Sequence, residues 1–294
     1  MNRSLGLWAA AATGVQVGLA LLVTRALAGQ VGPMTLAMLR YAVGVAVLLP
    51  VFLAQPRMAV PRRDLWPILG LGVVQFGVLI ALLNLAVTRI SAGQAAIIFA
   101  LFPLLTLLMS GRAGMNAKRV LGALLSFAGV ALCLGGAEVP ADWIGAGLAF
   151  AAAFCGAVCA ILYRPYLQRY PTLQVGTRAM VAAVLALLPL ALFEATPAEI
   201  VSLPWGVWAG VVFIGISSGA GYLLWLTALR HAPASEATLF LGLSPIVAGL
   251  GGWLFLGETI GGSFAFGLAL ALAGLRLALT QGAGKGLAIM RGGS

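Results

Sequence analysis

Ser218, Tyr222 and Trp225 fall four and three residues apart, so a helix carries them on one face and offers a hydroxyl and two aromatic rings to one space. Elsewhere in apolar surroundings stand Gln16, Gln75, Asn84, Gln94, Ser217, Thr238 and Ser244, with aromatic residues at Tyr41, Phe76, Phe99 and Tyr163. Singly, such residues serve as helix-packing contacts or interface anchors. Together they describe a weakly polar, uncharged cavity. Its chemistry is recognition of a zwitterion or a neutral amphiphile: hydroxyls, amides and helix ends for the polar part, rings for the apolar part.

Arg40 adds one positive charge to this set. It stands about seven residues inside an apolar run, hence about 10 Å deep at about 1.5 Å per residue. A charge there costs roughly 2.5–3.5 kcal/mol and needs a reason, either helix bracing or a substrate carboxylate. Arg178 is its counterpart later in the chain, and Arg276, near a helix end, can snorkel to an interface. No acid occupies the middle of an apolar run. Glu236, one turn inside a helix, comes nearest and reads as a helix-start carboxylate, while His231 beside Arg230 reads as a loop residue.

Catalytic sets are missing. There is no H-E-x-x-H and no paired acid within an apolar run, so the chain is expected not to be an enzyme and to need no cofactor. Cys133, Cys155 and Cys159 form neither a disulfide framework nor a zinc site and read as small core residues.

The elements that must position these residues follow from composition. Of the 294 residues, 62% are hydrophobic and 8% are charged, too few polar side chains to surface a water-soluble fold. The expected surroundings are a lipid bilayer. The net charge of +10 comes from short Lys and Arg clusters between apolar runs, which is membrane topology and not a nucleic-acid footprint.

Ten stretches hold the roughly 20 apolar residues that cross a bilayer core: 5–27, 33–54, 65–87, 92–110, 119–136, 142–165, 173–193, 205–229, 235–256 and 262–280. The first is too long for a signal-peptide core and counts as a span. With a cytoplasmic N-terminus, the inner segments collect Arg3, Arg57, Arg62, Arg63, Arg112, Lys118, Arg119, Arg164, Arg169, Arg230, Lys285 and Arg291. The outer ones hold only Arg25 and Arg89, so both termini are expected in the cytoplasm.

Residues 1–137 and 138–280 repeat one another weakly, followed by a tail at 281–294. Arg40 matches Arg178, Gln94 and Pro103 match Glu236 and Pro245, and the glycine pair Gly122 and Gly129 matches Gly267 and Gly274. An odd number of spans per unit makes the second copy enter from the opposite face. The expected fold is therefore an all-α polytopic membrane protein of ten transmembrane helices, two inverted five-helix repeats around a central cavity, the architecture of alternating-access carriers. Pro103 and Pro245 are expected to bend the fourth helix of each repeat toward that cavity.

The runs Tyr222-Leu-Leu-Trp225, Ser244-Pro245-Ile246-Val247-Ala248 and Leu254-Phe-Leu-Gly257-Glu258, followed by Gly267 and Gly274, resemble the EamA repeat of the drug/metabolite transporter superfamily. Leu39-Arg40-Tyr41, Leu85-Ala86 and Phe102-Pro103 look like matching pieces of the first half, so the resemblance spans about residues 5–280. It departs where the first half reads Ser110-Gly111-Arg112 in place of Gly-Glu, so any role of that glutamate falls to Glu258 alone. The resemblance implies bacterial export of small metabolites, often amino acids, through the inner membrane. YddG-like aromatic amino-acid exporters are nearest in character, a broad drug/metabolite carrier is the alternative, and a channel-like passage or an intramembrane enzyme stands further off. The pathway is assigned to Gln16, Arg40, Gln75, Asn84, Tyr163, Ser218, Tyr222 and Trp225. The partners are then a small-molecule substrate and lipid; the oligomeric state is open, with a monomer the simplest case.

Overall fold

The expected spans form helices, and their packing puts small residues inside and large ones outside. The computed structural model describes residues 3–56, 58–109, 117–135, 142–231, 240–258 and 261–279, with no strand among them. The helices are α1 (Arg3–Leu27), α2 (Pro33–Ala54), α3 (Arg62–Arg89), α4 (Ala92–Phe99), α5 (Phe102–Met109) and α6 (Ala117–Gly135). They continue with α7 (Trp143–Arg169), α8 (Thr172–Glu194), the short α9 (Pro197–Val201), α10 (Trp205–His231), α11 (Leu243–Leu256) and α12 (Gly262–Leu279). α1, α2, α3, α7, α8 and α10 are long and apolar enough to cross a membrane, and shorter apolar helices account for the remainder.

On α7 the residues Ala149, Ala152, Ala153 and Ala157 are fully buried while Trp143, Ile144 and Phe154 are exposed. Small residues let helix backbones approach where no water drives them together, and the bulky ones are left for lipid. One close approach is that of α6 to α12. A Cβ added at Gly129 would sit 2.4 Å from the Ala271 amide nitrogen and 2.5 Å from the Gly267 carbonyl oxygen. Ser126 Oγ donates to the Ala271 carbonyl across the same seam at 3.1 Å.

Two spans differ from the sequence expectation. The stretch 92–110 is not one rod: α4 stops at Phe99 and α5 starts at Phe102, and Pro103 lies in the first turn of α5. In the ninth span a 3-10 turn at Phe240–Gly242 leads into α11, whose first turn holds Pro245. Both prolines thus stand where a helix needs no N–H, so each helix is interrupted ahead of its proline and not kinked beyond it. Residues 232–239, with Glu236 and Thr238, lie outside the described residues.

Local chemistry fixes the helix ends. Ser91 and Gln94 form a reciprocal capping box at the start of α4, each side chain bonding the other's backbone N–H. Asp142 caps α7 through the N–H groups of Ile144 and Gly145 and pairs with Arg89 at 3.1 Å. The Gly145 N–H, assisted by Arg89, holds the Asp142 carboxyl below its ordinary value. Glu194, at the end of α8, accepts from the Met34 and Thr35 N–H groups at 3.1 and 2.8 Å and so caps α2.

α1, α3 and α11 are tied at this same end of the bundle. Gly257, at φ +66°, turns the chain after α11 and sends Glu258 back to the Ala92 N–H at 3.2 Å and to Arg25 at 3.4 Å. Arg25 also donates to the Val87 carbonyl at the end of α3. The other end is closed by Asp64 at the start of α3, which accepts from Tyr170 Oη at 2.7 Å and lies 3.6 Å from Arg169. There too Gln174, at the start of α8, bonds Pro56 O and Met58 N.

Candidate substrate site

α1 and α2 meet α10 halfway along its length. Gln16 Nε2 on α1 donates to Ser217 Oγ at 3.0 Å, and Arg40 Nε on α2 donates to Ser218 Oγ. Consecutive serines on α10 are therefore held from two helices. Ser218 Oγ in turn donates a hydrogen bond to the Ile214 carbonyl within the helix. α2 comes this close because Gly44 meets the backbone of Gly215 and Gly219.

The charge balance at Arg40 decides what the site can bind. Its guanidinium bonds a neutral hydroxyl and lies 5.6 Å from the Tyr41 ring centroid, and no carboxylate among the described residues pairs with it. A partly buried cation with a neutral partner retains unused donors for an anion. Arg178, its repeat counterpart, is occupied differently, with Gln174, the Met58 carbonyl and the Phe52 ring.

From Arg40 a line of rings runs into the bundle. Tyr41 meets Phe76 edge to face with centroids 5.2 Å apart, and Phe76 meets Tyr222 in the same manner at 5.2 Å. Tyr222 lies over Gly176 on α8, where any side chain would collide with the ring. Phe76 is placed by an irregularity: residues Val73–Val78 of α3 form a π-helical turn, a feature that often marks functional sites. Gln75 stands in that turn, half-buried, with no side-chain hydrogen bond to a described residue.

Tyr163 on α7 is 4% exposed, and its hydroxyl has no hydrogen-bond partner among the described residues. Thr177 Oγ1 on α8 is likewise buried and unpartnered. Asn84 is committed elsewhere, donating to the Pro33 carbonyl at 2.9 Å and joining α3 to the start of α2. Trp225 packs with Ala9, Ala10 and Ala228 between α1 and α10, in a cluster separate from Tyr222. Pro245 is fully buried beside a water-sized cavity that Ile97, Ser126 and Leu268 also line.

The structure thus joins Arg40, Tyr41, Phe76, Ser218 and Tyr222 in one chain of contacts, with Gln75 in the same π-helical turn as Phe76. Gln16 braces it, and Asn84 and Trp225 sit apart. Sequence reasoning missed Thr177 and the Arg25–Glu258 tie, for which spacing carries no signal. The Ser91–Gln94 capping box places Gln94 at a helix start.

Comparison with known proteins shows the family. The model of the EamA-like transporter family matches residues 4–135 and again 143–280. The uncharacterized transporter YyaM of Bacillus subtilis is 28% identical over 230 residues, 74% of this chain and 75% of that protein. A protein of Streptantibioticus cattleyicolor named a probable terminal-alkyne amino-acid exporter is 30% identical over 226 residues, 74% of each chain. A solved crystal structure superposes with a TM-score of 0.67 at 25% identity, covering 92% of this chain and 98% of the other. The family and these relatives are transporters, not enzymes, and the apolar helices accord with a membrane setting.

Proposed function

The chain belongs to the EamA-like transporter family, and from that premise we propose that it is an alternating-access exporter of amino acids with aromatic or other apolar side chains. The observation that carries this reading is Arg40: a cation held by a neutral hydroxyl, with no acid among the described residues to neutralise it, at one end of an aromatic line. A carboxylate supplies the missing charge and the rings accept the side chain. A multiply charged anion such as a sugar nucleotide would call for several such cations, and among the described residues Arg40 alone joins this line of contacts. The amino-acid exporter relative supports the substrate class.

Ten spans in two inverted units complete the proposal, with α9 a surface turn and α4 with α5 one interrupted span. Supporting this, the principal contacts between the halves keep their pattern when the halves are exchanged. α1 packs on α10 as α3 does on α7, α2 on α10 as α3 on α8, and α1 on α11 as α4 and α5 on α7. α2 with α8, α4 with α11 and α6 with α12 are pairs that map onto themselves. An exchange axis of this kind relates inward-open and outward-open forms. The interruptions before Pro103 and Pro245 are the proposed hinges. Both termini and residues 58–61 face the cytoplasm of the inner membrane, so a cysteine at Ala59 should resist an impermeant thiol reagent in intact cells and one at Ala198 should react. The reverse pattern overturns the orientation.

The functional test is flux. Tyr222→Ala removes a ring of the line and Trp225→Ala opens the α1–α10 contact beside it, and each should lower phenylalanine or methionine counterflow in proteoliposomes at normal expression. Wild-type flux in both variants contradicts the proposed pathway.

A further inference from the structure

We propose that Glu194 and Glu258 are the outer gate of the carrier, each clasping the start of a first-half helix across the boundary that parts when the pathway opens outward, a role that rests on the inverted-repeat reading above. Exchange of the halves swaps α2 with α8 and α4 with α11, so two bodies related by that exchange cannot hold both members of either pair. Both pairs are in contact and therefore cross the moving boundary. Glu194, the last residue of α8, accepts from the Met34 and Thr35 N–H groups at 3.1 and 2.8 Å and from Thr35 Oγ1 at 3.0 Å, at the start of α2. Glu258, just past α11, accepts from the Ala92 N–H at 3.2 Å, at the start of α4, and pairs with Arg25 at 3.4 Å. Each carboxylate lies over a glycine: a side chain at Gly32 would run into Glu194, and one at Gly252 into Glu258. The end of α3 ties the two clasps together, because Asn84 donates to the Pro33 carbonyl and Arg25 to the Val87 carbonyl.

The opposite end of the α2–α8 pair is fastened with other chemistry. There a neutral amide, Gln174, donates to the Pro56 carbonyl at 2.8 Å and accepts from the Met58 N–H at 3.2 Å, and Arg178 adds a longer bond to the Met58 carbonyl at 3.4 Å. The sequence segments that correspond to the two glutamates under the exchange, 55–61 after α2 and 110–116 after α5, contain no Asp or Glu. A carboxylate at a helix start gains from the free N–H groups and from the helix dipole at once, and its hydrogen bonds are about twice as strong as neutral ones. Loss of that charge therefore weakens the outer closure and leaves the inner one as it is. Glu194→Gln gives the outer clasp of this pair the chemistry of its inner clasp.

The test reads the two ends separately. In a full-length chain freed of its native cysteines and placed in liposomes, spin labels go to Gln30 and Ala198 at the outer end and to Ala59 and Gln168 at the inner end, all four exposed. Distances are measured by double electron–electron resonance with Glu194 and Glu258 intact, in Glu194→Gln, in Glu258→Gln and in Asp142→Asn. Glutamine keeps the shape and one acceptor, so each helix start stays capped while the charge is lost. Each glutamate variant should raise the ratio of long to short outer distances about tenfold, the worth of one hydrogen bond to a charged group, and the inner distance should not lengthen. Asp142→Asn is the control and should leave the outer distances unchanged: it removes a capping carboxylate that serves α7 itself and Arg89 on α3, and neither boundary pair. Outer distances unaltered in both glutamate variants, or lengthened as much in Asp142→Asn, overturn the gate and leave the carrier reading in place. Distances fixed at both ends when phenylalanine is added to the chain with both glutamates overturn alternating access itself.

Discussion

Arg40→Gln is expected to cut amino-acid flux roughly 10- to 100-fold and to leave insertion and folding intact. A hydrogen bond to a charged group is worth about 1.5–3 kcal/mol, and each 1.4 kcal/mol is a factor of ten. Glutamine can still donate to Ser218 Oγ, so the brace between α2 and α10 survives while the positive charge is lost. Because the guanidinium has no acidic partner among the described residues, its removal strands no buried carboxylate, which is the usual source of large destabilisation. Arg40→Lys should recover part of the flux, since a lysine keeps the charge without the planar donor fork. The check is the initial rate of labelled phenylalanine entry under counterflow. Flux equal to wild type in Arg40→Gln would reduce this arginine to a brace.

Gly129→Leu is the second change with a large expected effect, and it acts on the fold. The added Cβ falls 2.4 and 2.5 Å from backbone atoms of α12, which cannot move aside as a flexible side chain could. Separation of α6 from α12 along the Gly122–Gly274 and Gly129–Gly267 contacts is the only relief, at a cost of about 3 kcal/mol or more. Purified protein should show a lowered unfolding temperature and lose its monodisperse elution. Gly147→Ala serves as the control, since a Cβ there meets nothing within 4 Å. A Gly129→Leu protein as stable as the control would contradict the close-packed seam.

The sequence reveals this seam readily, and the site only in part, for physical reasons. A glycine pair at a spacing of seven marks one helix face whatever surrounds it, and a run of apolar residues as long as the bilayer is thick marks a span. Thus 33–54 coincides with α2, and 262–280 with α12 to within a residue. The stop of α4 at Phe99 and the π-helical turn at Val73–Val78 depend on packing against other helices, and no local pattern announces them. Asn84 and Trp225 show the same limit. Periodicity gives the face a side chain occupies, but only assembly decides that Asn84 turns to the Pro33 carbonyl and that Trp225 packs on Ala9 and Ala10. Arg40 was legible because a charge deep in an apolar run demands a partner wherever it stands. That the partner is a serine, leaving the charge unneutralised, required the structure.

The central claim, that the protein carries amino acids by alternating access, is tested most directly by counterflow with the purified wild-type chain in proteoliposomes. Vesicles loaded with unlabelled phenylalanine should draw in labelled phenylalanine faster than empty ones. Entry should saturate with concentration, and a planar bilayer holding the same protein should show no single-channel currents. Entry that ignores the internal load, single-channel currents, or movement of nucleotide sugars without amino acids would contradict the account.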